Sequence, residues 1–140
     1  MLGLSRNLSA DMHAVDTNII VRYLVGDDPE QADKARHLIG HEPVFISRTV
    51  MLEAEWVLRG VYELPADQII HSLRALAGLP DITVEDAPMV ARAMDWAAAG
   101  MDFADALHLV ASAECSSFFT FDKRLARAGT RLGQIQVVAP

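Results

Sequence analysis

The sequence predicts an α/β fold in which a central, mostly parallel sheet is flanked by helices. Short apolar runs alternate along the chain with longer segments that have the 3.6-residue periodicity of amphipathic helices. Such alternation is typical of parallel strands that are joined by helical crossovers. The chain has 140 residues, of which 51% are hydrophobic and 22% charged, so it can bury a core of its own. We therefore expect a three-layer sandwich.

The elements follow one another in a regular order. Strands are predicted at residues 13–17, 43–47, 82–84, 117–120 and 135–138. Helices are predicted at residues 18–25, 29–39, 49–61, 65–77, 87–99, 104–113 and 123–128. Pro29 suits the first turn of a helix, while Gly40, the Gly78–Pro80 segment and Gly100 are expected to end helices. Residues 1–12 are expected to be a flexible extension, and residues 13–140 the domain.

Composition excludes several classes of protein. The single cysteine, Cys115, allows neither a disulfide within one chain nor a zinc site made of cysteines, and we expect it to be buried and structural. No apolar run approaches the ~18–20 residues that cross a bilayer, and no signal peptide is recognisable, so a cytoplasmic protein with no membrane partner is expected. The net charge of −7 weakens a nucleic-acid partner without excluding it, because several acids could bind metal.

Four acidic segments lie where predicted strands end or predicted helices begin, at residues 15–18, 52–55, 102–105 and 120–123. In open parallel sheets the functional crevice lies beyond the carboxyl ends of the strands, which is where Asp16 and Asp122 fall. Clustered carboxylates repel one another and are costly to bury unless a cation lies among them. Their hard oxygen ligands suit Mg²⁺ or Mn²⁺, which predicts a divalent metal site.

Helical geometry separates Glu53 from Glu55. Glu55 has Arg59 four residues later, which predicts an ordinary ion pair on a solvated face. Glu53 instead has the apolar residues Trp56 and Val57 three and four residues later, and a carboxylate among apolar groups needs a partner. We therefore predict that Glu53 is the metal ligand and that Glu55 lies on the surface.

Each of the other acids has a competing explanation as a helix cap. Asp16, Asp102 and Asp122 all lie where a helix N-cap is expected. Asp105 is the firmer ligand candidate because it shares a face with the apolar Leu109 and so leans inward. Asp102 is retained as an additional candidate ligand, since two acids three residues apart at a helix start could face one cation.

Polar and basic neighbours complete the predicted site. Thr120 is predicted to orient a carboxylate or a bound water, and Thr17 and Asn18 to support Asp16. Basic residues follow Asp122 closely, and they could hold phosphates or simply form a solvated helix face; they are Lys123, Arg124, Arg127 and Arg131.

The order of these motifs resembles that of the PIN-domain ribonucleases, and in particular the VapC-type toxins of bacterial toxin–antitoxin pairs. The motifs are Val-Asp-Thr-Asn, a Leu-Glu in a Trp-containing helix, Asp-Phe-Ala-Asp-Ala-Leu-His and Thr-Phe-Asp-Lys, and the resemblance covers about residues 13–138. It implies a PIN-like fold and a catalytic, metal-binding quartet, with Asp102 as an extra acid and Thr120 in support. The quartet consists of Asp16, Glu53, Asp105 and Asp122.

The resemblance implies a Mg²⁺- or Mn²⁺-dependent endoribonuclease that cleaves RNA and forms a homodimer. It further implies a cognate VapB-like antitoxin, whose peptide would lie in an apolar groove on the helices of residues 19–39 and 50–64. Two alternatives stay open at this point. One is a catalytically degenerate PIN-like domain that only binds a protein. The other is a different acid-cluster phosphohydrolase, although a haloacid-dehalogenase-type phosphatase would have an aspartate at the position of Asn18.

Overall fold

Parallel strands form the centre of the computed structural model, which describes residues 11–132 and 135–140. β1 (His13–Ala14), β2 (Val44–Ile46) and β3 (Ile82–Val84) form one parallel ladder in that order. β4 (Ser117–Phe119) and β5 (Gln136–Val138) form a second parallel ladder. In the first ladder β2 is central, with Val44 opposite both His13 and Ile82. The predicted α/β class with a parallel sheet is confirmed.

Seven helices connect these strands in the described part of the chain. They are α1 (Thr17–Val25), α2 (Pro29–His41), α3 (Arg48–Gly60), α4 (Ala66–Ala77), α5 (Ala87–Ala98), α6 (Phe103–Ala111) and α7 (Lys123–Leu132). α1 packs on α2 and α3, α4 packs on α3 and α5, and α5 packs on α6. The largest fully buried side chains come from both layers, among them Ile20, Ile46, Met51, Leu73, Phe103 and Leu109. This shared core holds the first turns of α1 and α6 and the whole of α3 in place.

Several element ends differ from the predictions, and those of β1, α2 and α7 are the most informative. β1 stops at Ala14 because Asp16 already has the extended conformation of an N-cap for α1. α2 passes through Gly40 and ends at His41, so this glycine does not terminate the helix. α7 continues to Leu132, four residues beyond its predicted end, and includes Gly129 as a buried position.

Two expectations from composition can be compared with the fold. Cys115 is exposed, and the prediction that it is buried was wrong, because the residue lies in the turn between α6 and β4. Among the described residues, no helix has the length and apolar character needed to span a membrane. Of the predicted N-terminal extension, residues 1–10 lie outside the described part of the chain.

Candidate active site

The first group of predicted site residues joins the start of α1 to the middle of α3. Asp16 follows β1, and its Oδ1 accepts a hydrogen bond from the backbone N–H of Ile19 at 3.1 Å. The next residue, Thr17, is buried, and its hydroxyl donates a hydrogen bond to Glu53 Oε1. Asp16 therefore does cap α1, and the cap also brings its neighbour Thr17 onto the predicted ligand Glu53. Glu53 itself is exposed, so the prediction that its carboxylate lies among apolar groups was wrong, although it does have a partner in the Thr17 hydroxyl.

The second group consists of Asp102, Asp105 and Asp122. Asp102 is the N-cap of α6, and its Oδ1 accepts a hydrogen bond from the backbone N–H of Asp105 at 3.0 Å. Asp105 is half-buried, as its predicted inward lean requires. Burial raises the pKa of Asp105, and the negative charges of Asp102 and then Asp122 raise it further, against a smaller opposing effect of His108. Asp105 thus lies close enough to Asp102 and to Asp122 to be repelled by each of them.

The segment after β4 is held by hydrogen bonds around Asp122. Its carboxylate accepts from the backbone N–H groups of Arg124 and Leu125, at 2.9 and 3.1 Å, and so caps the start of α7. The Thr120 hydroxyl accepts a hydrogen bond from the backbone N–H of Asp122 at 3.0 Å. Thr120 therefore orients the backbone that carries the carboxylate. Its predicted contact was with the carboxylate itself or with a bound water.

Glu55 is buried, with only 5% of its surface exposed, and the prediction that it lies on a solvated face was wrong. The predicted pair with Arg59 is present: Arg59 Nε donates to Glu55 Oε2 at 2.9 Å. The same guanidinium reaches Asp102, with Nη2 lying 3.6 Å from Oδ2. The hydrogen bond to Glu55 is the main reason that the pKa of Arg59 is raised above its ordinary value. Spacing on α3 identified this neighbour but not the tertiary contacts that cover Glu55.

A cavity of about 510 Å³ opens beside these residues. Its walls come from α3, α4, the segment between α5 and α6, the start of α6, and α7. The charged residues that line it are Glu55, Arg59, Asp102, Asp105, Asp122 and Arg124. Apolar side chains, including Ile70, Met101, Phe103 and Leu125, form the rest of the wall. The cavity therefore offers carboxylates together with two arginines, a combination that can receive a phosphate near a cation.

Comparison with known protein families identifies the family of the chain. The family model described as PIN domain matches residues 14–130, a range that contains every predicted site acid. The chain belongs to the PIN domain family. PIN domains are in general metal-dependent nucleases, so family membership indicates nuclease activity. No curated protein matches the chain, and no solved structure does.

This PIN domain presents its carboxylates in two groups that α3 connects. Glu53 on α3 contacts Thr17, next to Asp16, while Glu55 on the same helix is linked through Arg59 to Asp102. Within residues 11–132 and 135–140, no three His, Cys, Asp or Glu side chains are placed to hold one metal ion together. Mg²⁺ in proteins usually takes only one or two carboxylates and keeps several waters. The donor chemistry of the site fits such an ion.

The remaining predicted residues of the PIN domain lie around these groups. Asn18 is exposed at the start of α1. All four basic residues of α7 are exposed, and of these Arg124 also lines the cavity; the others are Lys123, Arg127 and Arg131. Arg59 was missed as a site residue because its spacing from Glu55 indicated only a surface pair. The i, i+4 spacing correctly predicted the pair with Glu55, but it could not indicate the tertiary contact between Arg59 and Asp102.

Proposed function

We propose that this PIN domain is a Mg²⁺- or Mn²⁺-dependent endoribonuclease, the toxin of a VapC-like toxin–antitoxin pair. One observation carries the proposal: Asp102, Asp105 and Asp122, from the starts of α6 and α7, line one cavity together with Arg59 and Arg124. Crowded carboxylates are stabilised by a bound cation, and a cavity with arginines can accept the phosphate of an RNA backbone.

The acidic residues of the site would bind the metal ion. Asp16, Glu53, Asp105 and Asp122 would provide the oxygen ligands, with Asp102 as an additional acid. When bound, a divalent cation supplies activation of a water for in-line attack on a phosphodiester and stabilisation of the developing charge. Thr17 holds the Glu53 carboxylate in one orientation. No side chain has to form a covalent intermediate.

The proposal is tested by RNA cleavage with and without Mg²⁺ in wild type, Asp16→Asn and Asp105→Asn. Each substitution keeps the shape of the side chain but removes a negative oxygen ligand, so cleavage should fall to the level that wild type has in a chelator. The matched control is Asp81→Asn, an exposed aspartate that directly precedes β3 at the opposite end of the sheet. Equal cleavage by wild type and Asp16→Asn would contradict the assignment of the site.

Two further outcomes separate the alternatives. If wild type cleaves no member of a broad panel of RNAs with either metal, a degenerate PIN domain that only binds a protein partner is favoured. If wild type instead hydrolyses a simple phosphomonoester and leaves RNA intact, another acid-cluster phosphohydrolase is favoured. Both outcomes would overturn the endoribonuclease proposal.

The antitoxin and the homodimer also belong to the proposal. The face of α3 leaves Trp56 56% exposed, and Val61, at the end of this helix, is 62% exposed. Exposed large apolar side chains of this kind are typical of a protein-binding surface, and an amphipathic peptide would cover them. The test is whether a small protein encoded directly upstream binds the toxin and restores growth when the two are co-expressed. Sedimentation of the free toxin would measure its oligomeric state.

A further inference from the structure

The most exposed large apolar side chain in the described part of the chain lies directly next to a site carboxylate. Phe121 is 87% exposed, and Phe119, two residues earlier, is 65% exposed. Phe121 is flanked by Thr120 and by Asp122, a lining residue of the cavity. Leaving an aromatic ring in water forgoes the free energy of its burial, and the exposed face of the ring is accessible to a ligand.

The backbone that carries Phe121 is restrained on both sides. The backbone N–H of Thr120 donates to the carbonyl oxygen of Val138 on β5 at 3.0 Å. The Thr120 hydroxyl accepts from the backbone N–H of Asp122, and the Asp122 carboxylate caps α7 through Arg124 and Leu125. The ring is therefore exposed on an anchored turn, and it would lose little conformational freedom when a ligand covers it.

The charge around this turn differs from that of the whole molecule. The chain carries a net charge of −7, yet α7, which starts two residues after Phe121, contains four basic residues and no acidic residue. Lys123, Arg127 and Arg131 recur every fourth residue along α7 and are exposed. A ligand that suits this surface has a flat apolar face and negative charges next to it.

We infer that Phe121 is a stacking platform for an unpaired base of the RNA substrate. The inference rests on the proposed endoribonuclease function and deepens it, because it specifies the form of the RNA. Aromatic side chains stack on the flat faces of bases that are splayed out of single strands or loops, while nearby cations hold the phosphates. Bases inside a duplex are already stacked, so the expected substrate is single-stranded or looped RNA.

The first experiment compares Phe121→Leu, Phe121→Ala and Phe121→Trp on one RNA. The probe is an oligonucleotide that wild type cleaves, chosen from single-stranded, hairpin-loop and duplex RNAs of the same sequence. We expect no cleavage of the duplex. Leu retains apolar bulk but cannot stack, so KM should rise about 5- to 150-fold in both Leu and Ala variants, with a smaller change in kcat. The Trp variant should cleave with a KM close to that of wild type.

The second experiment removes the partner from the substrate. Abasic nucleotides are placed one at a time around the cleavage point of the same oligonucleotide. At the position that stacks on Phe121, the abasic RNA should raise the KM of wild type by the factor found for Phe121→Ala. Combining the abasic RNA with the Ala variant should give no further increase, because both changes remove one contact.

Several results would overturn the inference. If Phe121→Leu cleaves the unpaired RNA as well as wild type does, stacking contributes nothing. Alternatively, Phe121→Ala could change the sedimentation of the protein from dimer to monomer together with its activity, which would assign the ring to contact with a second copy. In both cases the nuclease proposal survives. Absence of cleavage by wild type overturns both.

Discussion

At the scale of single residues, Arg59 explains how a carboxylate can be buried next to the cavity. Glu55 has a side chain that is 6% exposed, and Arg59 donates to both of its oxygens, at 2.9 and 3.3 Å. The guanidinium is itself 43% exposed and lies 3.6 Å from Asp102. A planar, bidentate donor can serve two carboxylates at once, which a lysine could not do with the same geometry. Arg59 thus connects the core of α3 to the site.

We predict that Arg59→Ala destabilises the fold by about 1–3 kcal/mol, because it leaves the buried Glu55 carboxylate without this partner. The expected loss of stability is smaller than for a fully buried ion pair, because Arg59 is partly exposed to solvent. The measurement is the free energy of unfolding in urea. The double variant Arg59→Ala/Glu55→Leu should recover part of the loss, since no carboxylate is then left unpaired.

The control is an exposed pair with the same spacing. Lys34 and Glu30 on α2 lie 3.4 Å apart with side chains that are 76% and 82% exposed. Lys34→Ala should change the free energy of unfolding by no more than about 0.5 kcal/mol. Equal losses in Arg59→Ala and Lys34→Ala would mean that burial of Glu55 does not depend on its partner.

The two glutamates of α3 mark how far the site could be predicted from sequence. Strand ends and helix starts predicted the capping positions of Asp16, Asp102 and Asp122, and helical periodicity predicted the partial burial of Asp105. Exposure of Glu53 and Glu55 depends instead on which other elements pack against α3. Helical spacing gives the neighbours on the same helix, and it contains no information about a contact such as that between Arg59 and Asp102.

At the scale of elements, Gly129 and Gly40 both lie within helices but differ in the space that surrounds them. A Cβ added at Gly129 would lie 2.5 Å from Val137 Cγ2 on β5 and 3.4 Å from Leu109 Cδ1 on α6. A Cβ added at Gly40 in α2 would meet nothing within 4 Å. Sequence reasoning treated Gly40 as a terminator and ended the last helix before Gly129. The structure requires glycine at Gly129 because α7 packs closely on β5.

We predict that Gly129→Ala destabilises the fold by about 1–2 kcal/mol, because the clash with Val137 exceeds the helical preference of alanine. Gly40→Ala should instead stabilise it by about 0.5–1 kcal/mol. Both values come from urea unfolding of the two single variants. Adding Val137→Ala to Gly129→Ala should make the alanine at position 129 less costly than it is alone. Stabilisation by Gly129→Ala would contradict the close packing of α7 on β5.

At the scale of the whole molecule, a polar network holds α1 against α2 and the end of α3. Arg22 Nη1 donates to Asp27 Oδ1 at 2.9 Å and to Tyr62 Oη at 3.0 Å, and Arg22 Nε donates to Gln31 Oε1 at 2.8 Å. The Tyr62 hydroxyl donates to Asp27 Oδ2 at 2.8 Å. This network lies at the opposite end of α1 from Thr17, whose hydroxyl contacts Glu53. It therefore helps to keep α1 and α3 in the arrangement on which the first group of site residues depends.

The network makes stability depend on pH through Asp27. The hydrogen bond from Tyr62 is the main reason that the pKa of Asp27 is held below its ordinary value; desolvation opposes it, and the charge of Arg22 lowers the pKa further. A carboxyl whose pKa is lower in the folded state stabilises the fold above its unfolded pKa, and this contribution is lost as the pH falls through the folded pKa. For Asp27 the loss therefore begins near the ordinary pKa of an aspartate and continues below it.

We predict that Asp27→Asn is less stable than wild type at neutral pH and that this difference shrinks as the pH falls. Asparagine is uncharged, so it cannot replace the carboxylate that accepts hydrogen bonds from Arg22 and Tyr62. Asp27 in wild type loses the same negative charge when it is protonated at low pH. The measurement is the urea midpoint of both proteins at about pH 7 and about pH 3. The control, Asp33→Asn on the exposed face of α2, should keep a constant difference from wild type. If the Asp27 difference also stays constant, the network does not contribute to stability through the charge of its carboxylate.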